Sequence, residues 1–331
     1  MNIETIFEQF KEKRIAVIGD VMLDAYMIGT VTRISPEAPV PIVGLSAKEN
    51  RLGGAANVAL NIVSLGAEAI ICSVIGDDID GNELINILEK EGVNSFGLLQ
   101  SDTRKTTVKT RIIGNNQQLL RIDSEQTNEI NNRDEINLLE KIDQLLKEGI
   151  DAVIFEDYNK GVLTQKVINE VIRKCNDAGI PTTVDPKKEN FLAYKNCTLF
   201  KPNLKELKEG INVSFSIEDK VSFENAVLQL NSILNNRFTF ITLSEHGVYI
   251  QSDDEKKYIP AHIRTIADVS GAGDTVISVA TLCLCIGLNI EQVASFANLA
   301  GGLVCEKSGV VSIAREQLMN EIRLLTKSEI L

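Results

Sequence analysis

Two glycines one residue apart, followed at once by an aspartate, mark the segment best suited to chemistry: Asp268-Val-Ser-Gly271-Ala272-Gly273-Asp274-Thr275. Gly271 and Gly273 let the backbone turn sharply and approach a ligand with no Cβ in the way. The apolar run from Val276 to Cys285 contains neither Gly nor Pro and predicts a buried helix. The amides of Gly271, Ala272 and Gly273 then lie at a helix N-terminus, where unpaired N–H groups and the helix dipole favour an anion. A carboxylate at Asp274 would compete with that anion unless it had a proton to take. A general base that deprotonates a hydroxyl attacking a phosphate belongs at such a place. The same spacing suits a tight turn with Asp268 or Ser270 as a plain helix cap. Other phosphate motifs fit worse. Val276 stands where a third dinucleotide-binding glycine would, and no Gly-Lys-Ser/Thr occurs.

Further candidates are spread along the chain. Asp20 and Asp24 follow the apolar run Arg14–Gly19, which predicts a buried parallel strand. They would sit at its carboxyl end, where open α/β sheets bind ligands, or serve as loop caps. Gly53, Gly54 and Asn57 precede the helical run 58–65, which Gly66 terminates. Arg33, Lys109, Arg111 and Arg121 are either solvated sheet charges or a cationic surface able to receive a phosphate.

The elements that must position these residues follow from period and punctuation. Residues 1–13 predict a short amphipathic helix. Pro36, Pro39 and Pro41 exclude a helix, and 40–45 reads as an edge strand. Residues 106–113 and 117–123 alternate on either side of Gly114-Asn115-Asn116, the pattern of a hairpin. With 40–45 they would form a small sheet apart from the main one. Strands are predicted at 69–75, 151–156, 180–184, 198–201 and 238–243. Helices are predicted at 81–91 and 164–178, with another beginning at Pro202-Asn203 and one after Ile290. Strand–helix alternation with short links argues for a mostly parallel sheet covered on both faces.

Composition narrows the function. The 331 residues include 34 basic and 46 acidic side chains, a net charge of −12, which argues against a nucleic-acid partner. An anionic substrate must therefore be met by a local cluster of cations. The six cysteines show no CxxC spacing and mostly lie in apolar runs, as buried free thiols of a reducing cytoplasm do. His246 and His262 are the only histidines and form no metal motif. The sequence shows neither a signal-peptide pattern nor a run long enough to span a membrane.

Asp-Val-Ser-Gly-Ala-Gly-Asp-Thr and the upstream Gly53-Gly54-x-x-Asn57 resemble, in order, the two signatures of the ribokinase-like (PfkB) carbohydrate kinases. The resemblance spans essentially the whole chain. It implies one α/β ribokinase-like domain over 1–331: a mostly parallel sheet between two helical layers, plus a β-sheet lid inserted at about 27–50 and 104–123. It implies ATP with Mg²⁺, Asp274 as catalytic base, and Gly271, Ala272 and Gly273 as the anion hole. Asp20, Asp24, Gly53, Gly54 and Asn57 would then contact the sugar. Asp185, Lys187, Asn203, Glu206, Thr242, Ser244, Gly247 and Asn298 would contact the nucleotide, with Asn203 and Glu206 holding Mg²⁺ through water. The lid often makes a homodimer in this family, and some members need a monovalent cation near the segment matched by Asp268.

Within the family, Gly19-Asp-Val-Met-Leu-Asp24, residues 33–41, Asn116-Gln-Gln118-Leu-Leu-Arg121 and Asp157-Tyr-x-Lys160-Gly161 resemble the heptose-7-phosphate 1-kinases. That implies phosphorylation of a heptose 7-phosphate at C1, the sugar phosphate contacted by Arg33, Lys109, Arg111, Gln118, Arg121, Asp157 and Lys160. In many bacteria such a kinase is fused to a nucleotidyltransferase. Here the kinase half would stand alone, with a separate transferase downstream in lipopolysaccharide-core precursor synthesis. A fructokinase or ribokinase would keep the chemical residues and differ in the lid. The chain departs from the heptose-kinase pattern at Glu156, where a small residue is expected, and at Asn159, where Gly is usual.

Overall fold

A computed structural model describes residues 2–262 and 264–328. Met1, Ile263 and residues 329–331 of the expected domain lie outside them. In chain order the elements are α1 (Ile3–Phe10), β1 (Arg14–Gly19), β2 (Val21–Ile34), β3 (Pro41–Gly54), α2 (Ala55–Ser64), β4 (Glu68–Gly76) and α3 (Ile79–Lys90). Then come β5 (Asn94–Ser101), β6 (Val108–Gly114), β7 (Gln117–Ser124), α4 (Asn132–Glu148), β8 (Ala152–Glu156), α5 (Gln165–Ala178), β9 (Thr182–Asp185) and β10 (Leu199–Phe200). The chain continues through α6 (Leu204–Gly210), α7 (Lys220–Leu234), β11 (Phe238–Thr242), β12 (Val248–Gln251), β13 (Lys256–Ile259), α8 (Ala272–Cys285), α9 (Ile290–Cys305) and α10 (Arg315–Ser328).

β1 is apolar at every position from Ile15 to Ile18, and alternate residues serve opposite cores. Ile15 and Val17 pack with helices α1, α2, α8 and α9, whereas Ala16 and Ile18 pack with α4, α5 and α7. The strand is therefore buried at the centre of a nine-stranded sheet, ordered β13-β12-β11-β10-β9-β8-β1-β4-β5 among the described residues. Every pairing from β11 to β5 is parallel, and β12 and β13 add an antiparallel edge that periodicity did not indicate.

The second sheet, ordered β3-β2-β6-β7, contains the expected hairpin, with Asn115 and Asn116 both at positive φ (53° and 63°). That conformation matches the twist of a two-residue hairpin turn. Two expectations change here. β2 is a strand of 14 residues that the sequence reading did not name, because register shifts at Ile28/Gly29 and Val31/Arg33 break its period of two. The edge strand expected at 40–45 runs on to Gly54, so the glycine pair ends a strand before α2 begins. Gly54 has φ 61°, and a Cβ there would lie 2.3 Å from the Asp20 carbonyl, so only glycine fits. All six cysteines are unbridged, and all but Cys285 are buried.

Candidate active site

Carboxyl ends of β1, β8, β9, β10 and β11 converge on the N-terminus of α8, and the candidate residues gather there. Gly271 is the N-cap of α8 in the left-handed region, φ 80°, and a Cβ on it would meet the Asn57 amide nitrogen at 3.0 Å. Asp274 lies in the first turn, 6% exposed. Its Oδ2 accepts from Asn57 Nδ2 at 2.6 Å and its Oδ1 from the Tyr158 hydroxyl at 3.2 Å. Burial raises its proton affinity; Asn57 opposes the shift and Asp185 adds to it. The result is an oriented carboxylate with more than the usual basicity, beside the Gly271–Gly273 amides.

The two signature segments meet because α2 docks on α8. Asn57 bonds Asp274, Thr275 Oγ1 donates to Asn61 Oδ1 at 3.0 Å, and Ser278 Oγ donates to the Val58 carbonyl at 3.3 Å. Small residues Ala55, Ala56 and Ala59 are fully buried in α2 and permit the close approach.

The lid brings only some of its cations together. Asp24 faces Arg51 across one strand pair and Lys109 across the next, and Tyr26 faces Arg111. In-register neighbours share a face of the sheet. Arg111 is ion-paired to Asp24, and the Arg51 and Arg111 guanidiniums lie 4.7 and 5.3 Å from the Tyr26 ring centroid. Lys109 is half-buried, and burial followed by its neighbour Lys160 makes it a weaker base than a free lysine. Arg33, Gln118 and Arg121 are exposed. Arg121 forks onto Asp123 at 2.8 and 2.9 Å. Arg33 lies nine residues beyond Asp24 along β2, roughly 30 Å at ~3.3 Å per strand residue, and so belongs to another part of the lid. Arg51 was not among the cations expected here; only the strand register reveals it.

Asp20 and Asp157 prove to be internal scaffolding. Asp20 is 1% exposed and accepts backbone N–H bonds from Tyr158 (2.9 Å), Lys160 (3.0 Å) and Val162 (3.1 Å). It holds the 157–162 loop in place through both of its carboxylate oxygens. Burial, followed by the Asp157 charge, raises its pKa to about 6 against these amides. Asp157 accepts from Asn159 N, Asn190 Nδ2 and Tyr194 Oη at 2.8, 3.1 and 2.7 Å. Lys160 is paired to Glu125 at 2.7 Å.

Beyond the carboxyl end of β10, Asn203 caps α6. Its Oδ1 accepts from Glu206 N at 2.8 Å, and Glu206 Oε2 accepts from Asn203 N at 2.9 Å. Glu206 Oε1 pairs with Lys187 at 2.9 Å. The plain helix start that Pro202, Asn203 and Glu206 also suited is therefore present. Asp185 pairs with the buried Lys201 at 2.7 Å, and Lys187 lies 3.8 Å from its other oxygen. Lys201 was missed because no local pattern marks it, and Tyr158 stood inside the Asp157-Tyr-x-Lys160-Gly161 stretch without a role of its own. Thr242 bridges to Asn203, and Gly247 follows the Ser244–His246 turn at φ 86°. Asn298 Nδ2 donates to the Pro260 carbonyl at 2.8 Å. Asn203, Leu204, Lys205, Lys208, Glu209 and Ser244 line a cleft of about 620 Å³.

A buried carboxylate at a glycine-rich helix N-terminus, on a doubly covered parallel sheet with a small second sheet, is the architecture of a carbohydrate kinase. The chain belongs to the pfkB family of carbohydrate kinases, whose pattern matches residues 12–317. It is 40% identical over 317 residues to the bifunctional protein HldE of Sulfurimonas denitrificans, covering 95% of this chain and 65% of that protein. The HldE of Campylobacter curvus is 38% identical over 299 residues, covering 90% and 63%. The chain thus spans a little under two thirds of the length of these relatives. In fold it resembles Escherichia coli phosphofructokinase-2 in complex with substrates and products (TM-score 0.78, 20% identity, 95% and 99% of the two chains). Arabidopsis thaliana ribokinase complexed with ribose and ATP gives a TM-score of 0.72 at 16% identity, covering 94% and 98%. No helix among the described residues is long and apolar enough to cross a membrane.

Proposed function

We propose that the protein transfers the γ-phosphoryl group of ATP to the C1 hydroxyl of D-glycero-β-D-manno-heptose 7-phosphate. The observation that carries the phosphoryl-transfer step is Asp274, held between Asn57 and Tyr158 at the mouth of the Gly271–Gly273 amides. Asp274 takes the proton from the attacking hydroxyl. The amides of Gly271, Ala272 and Gly273 and the α8 dipole hold the charge that develops on the transferred group. Asp24, Gly53, Gly54 and Asn57 position the sugar.

A sugar phosphate brings about two negative charges to a chain of net charge −12, so it needs a dedicated cluster of cations. Lys109 and Arg111, side by side with Arg51 around Asp24 and Tyr26, supply one. The similarity to the HldE proteins supports a heptose-phosphate kinase role. The product would feed a nucleotidyltransferase on the way to an ADP-heptose, in the cytoplasm.

Asn203, Thr242, Ser244, Gly247 and Asn298 surround the nucleotide in this reading, with Asp185 and Lys187 at its phosphate end. The donor set there is all oxygen and carboxylate-rich, which suits Mg²⁺. When bound, Mg²⁺ draws charge from the phosphate oxygens. Asn203 and Glu206 are already spent on the α6 cap and on Lys187, so their contact with it would run through water. Asp268 lies where a monovalent cation would act, its carboxylate accepting from Ser270 N and Gly309 N at 3.0 Å each. ADP release measured across a sugar panel tests the substrate: heptose 7-phosphate should give the highest kcat/KM. A higher value for fructose or ribose would overturn the heptose assignment and leave a pfkB kinase for another sugar.

A further inference from the structure

Beneath the anion hole, three carboxylates from three elements point at one another. Glu156 ends β8, Asp185 ends β9 and Asp274 opens α8; each places one oxygen within 4.8 Å of the others, and all three are buried. Asp185 has Lys201, and Asp274 has Asn57 and Tyr158. Glu156 has nothing. It is 0% exposed, and neither carboxylate oxygen has a hydrogen-bond partner among the described residues. The Asn57 Oδ1, on the amide that holds Asp274, is also buried and unpartnered.

A buried carboxylate left without donor or cation is among the costliest groups a fold can keep. The neighbouring ammoniums do not meet it. Lys201 is bonded to Asp185, and Lys187 lies between Glu206 and Asp185. Glu156 stands opposite Asp185 in parallel register, so the two side chains leave the sheet on the same face. Two ammoniums thus stand among four carboxyl groups, Glu156, Asp185, Asp274 and Glu206, and Glu156 is the one that neither reaches.

The geometry points to Glu156 as a direct protein ligand for a divalent cation shared with Asp185 and facing Asp274. The ligand atoms are carboxylate oxygens with no His or Cys among them, which selects a hard ion of the Mg²⁺ or Mn²⁺ class. Such an ion is held by the protein itself before any nucleotide arrives. This assignment rests on reading the cleft as a phosphoryl-transfer site, but its test uses neither sugar nor nucleotide, so its failure leaves that reading standing.

Titration of the full chain with Mn²⁺, followed by electron paramagnetic resonance, should show one ion bound without nucleotide and displaced by Mg²⁺. Glu156→Gln and Glu156→Ser should each weaken Mn²⁺ binding by about tenfold or more. Mn²⁺ should also raise the wild-type melting temperature and leave that of both variants unchanged. Equal Mn²⁺ affinity in wild type and variants would overturn the assignment. So would a folded wild type that takes up no Mn²⁺ while Glu156→Gln melts at or above its temperature, the behaviour of a neutral buried acid.

Discussion

Asp274 owes its raised basicity chiefly to burial and its orientation to Asn57 and Tyr158, so its two roles can be separated by mutation. Asp274→Asn is nearly isosteric and should lower kcat by roughly 10² to 10⁴ with binding of ATP changed only a few-fold. Wild-type turnover in that variant would remove Asp274 from the mechanism. Because its folded-state proton affinity is raised, the acid limb of kcat/KM should lie above the usual carboxylate range, activity falling as pH drops through it. A profile flat down to pH ~4, the ordinary Asp value, would contradict this. Asp20 makes a different prediction, about stability. Its pKa rises from 3.8 to about 6 on folding, so between those values the folded state holds a proton that the unfolded state has released. Stability from this group is therefore present below the lower value and lost as pH rises to the upper one, by about 3 kcal/mol for a shift of about two units. Urea unfolding at pH 4 and pH 7 should show that loss in wild type and not in Asp20→Asn; equal slopes in the two proteins would refute it.

At the scale of elements, the lid hairpin is the part whose contacts are least complete. All of β7 is exposed, and β6 meets the rest of the protein through β2, including the Arg111–Asp24 pair, and through Val108, which enters the core. If the hairpin closes over substrate, amides of residues 106–124 should gain exchange protection when sugar phosphate and nucleotide are both bound. Protection gained only elsewhere would mean the hairpin is a fixed wall. Arg111→Ala and Lys109→Ala should raise KM for the sugar phosphate by about tenfold or more, since each charged contact is worth about 1.5–3 kcal/mol. KM for ATP should not follow. A parallel rise in both would indicate general damage to the lid, for Arg111→Ala also leaves Asp24 unpaired.

For the whole molecule, the lid also carries the main exposed apolar side chains of the second sheet. Leu120 and Ile122, 54% and 50% exposed, alternate with Arg121 and Asp123 and so occupy the opposite face of β7; Ile34, Val40 and Leu45 are exposed on β2, β3 and the turn between them. We propose that this outer face joins two copies of the chain, and sedimentation should then report a dimer. Ile122→Lys together with Leu120→Lys should yield a monomer that retains its fold, because neither side chain enters a core. A wild-type monomer at micromolar concentration would rule the lid dimer out.

The features legible in the sequence were those set by neighbours along the chain. The apolar runs at 14–19 and 151–156 read as strands, the Asn115-Asn116 turn as a hairpin, and Gly271-Ala-Gly273 followed by an unbroken apolar run as a helix N-terminus. Each depends on period or backbone freedom within a few residues. β2 was hidden because its two register shifts erase the period, and β12 and β13 went unnamed as well. Side-chain assignments needed the fold. Asp20 and Asp24 look alike in sequence, yet one caps a loop with three amides while the other faces the lid cations. Asn203 and Glu206 spend their oxygens on a helix cap, and Arg51 joins the cationic face only through strand register. Asn57 reaches Asp274 across 217 residues of chain, and Glu156 meets Asp185 and Asp274 across two strand ends and a helix. Such encounters are decided by how crossover helices pack on the sheet, a long-range outcome that no local pattern encodes.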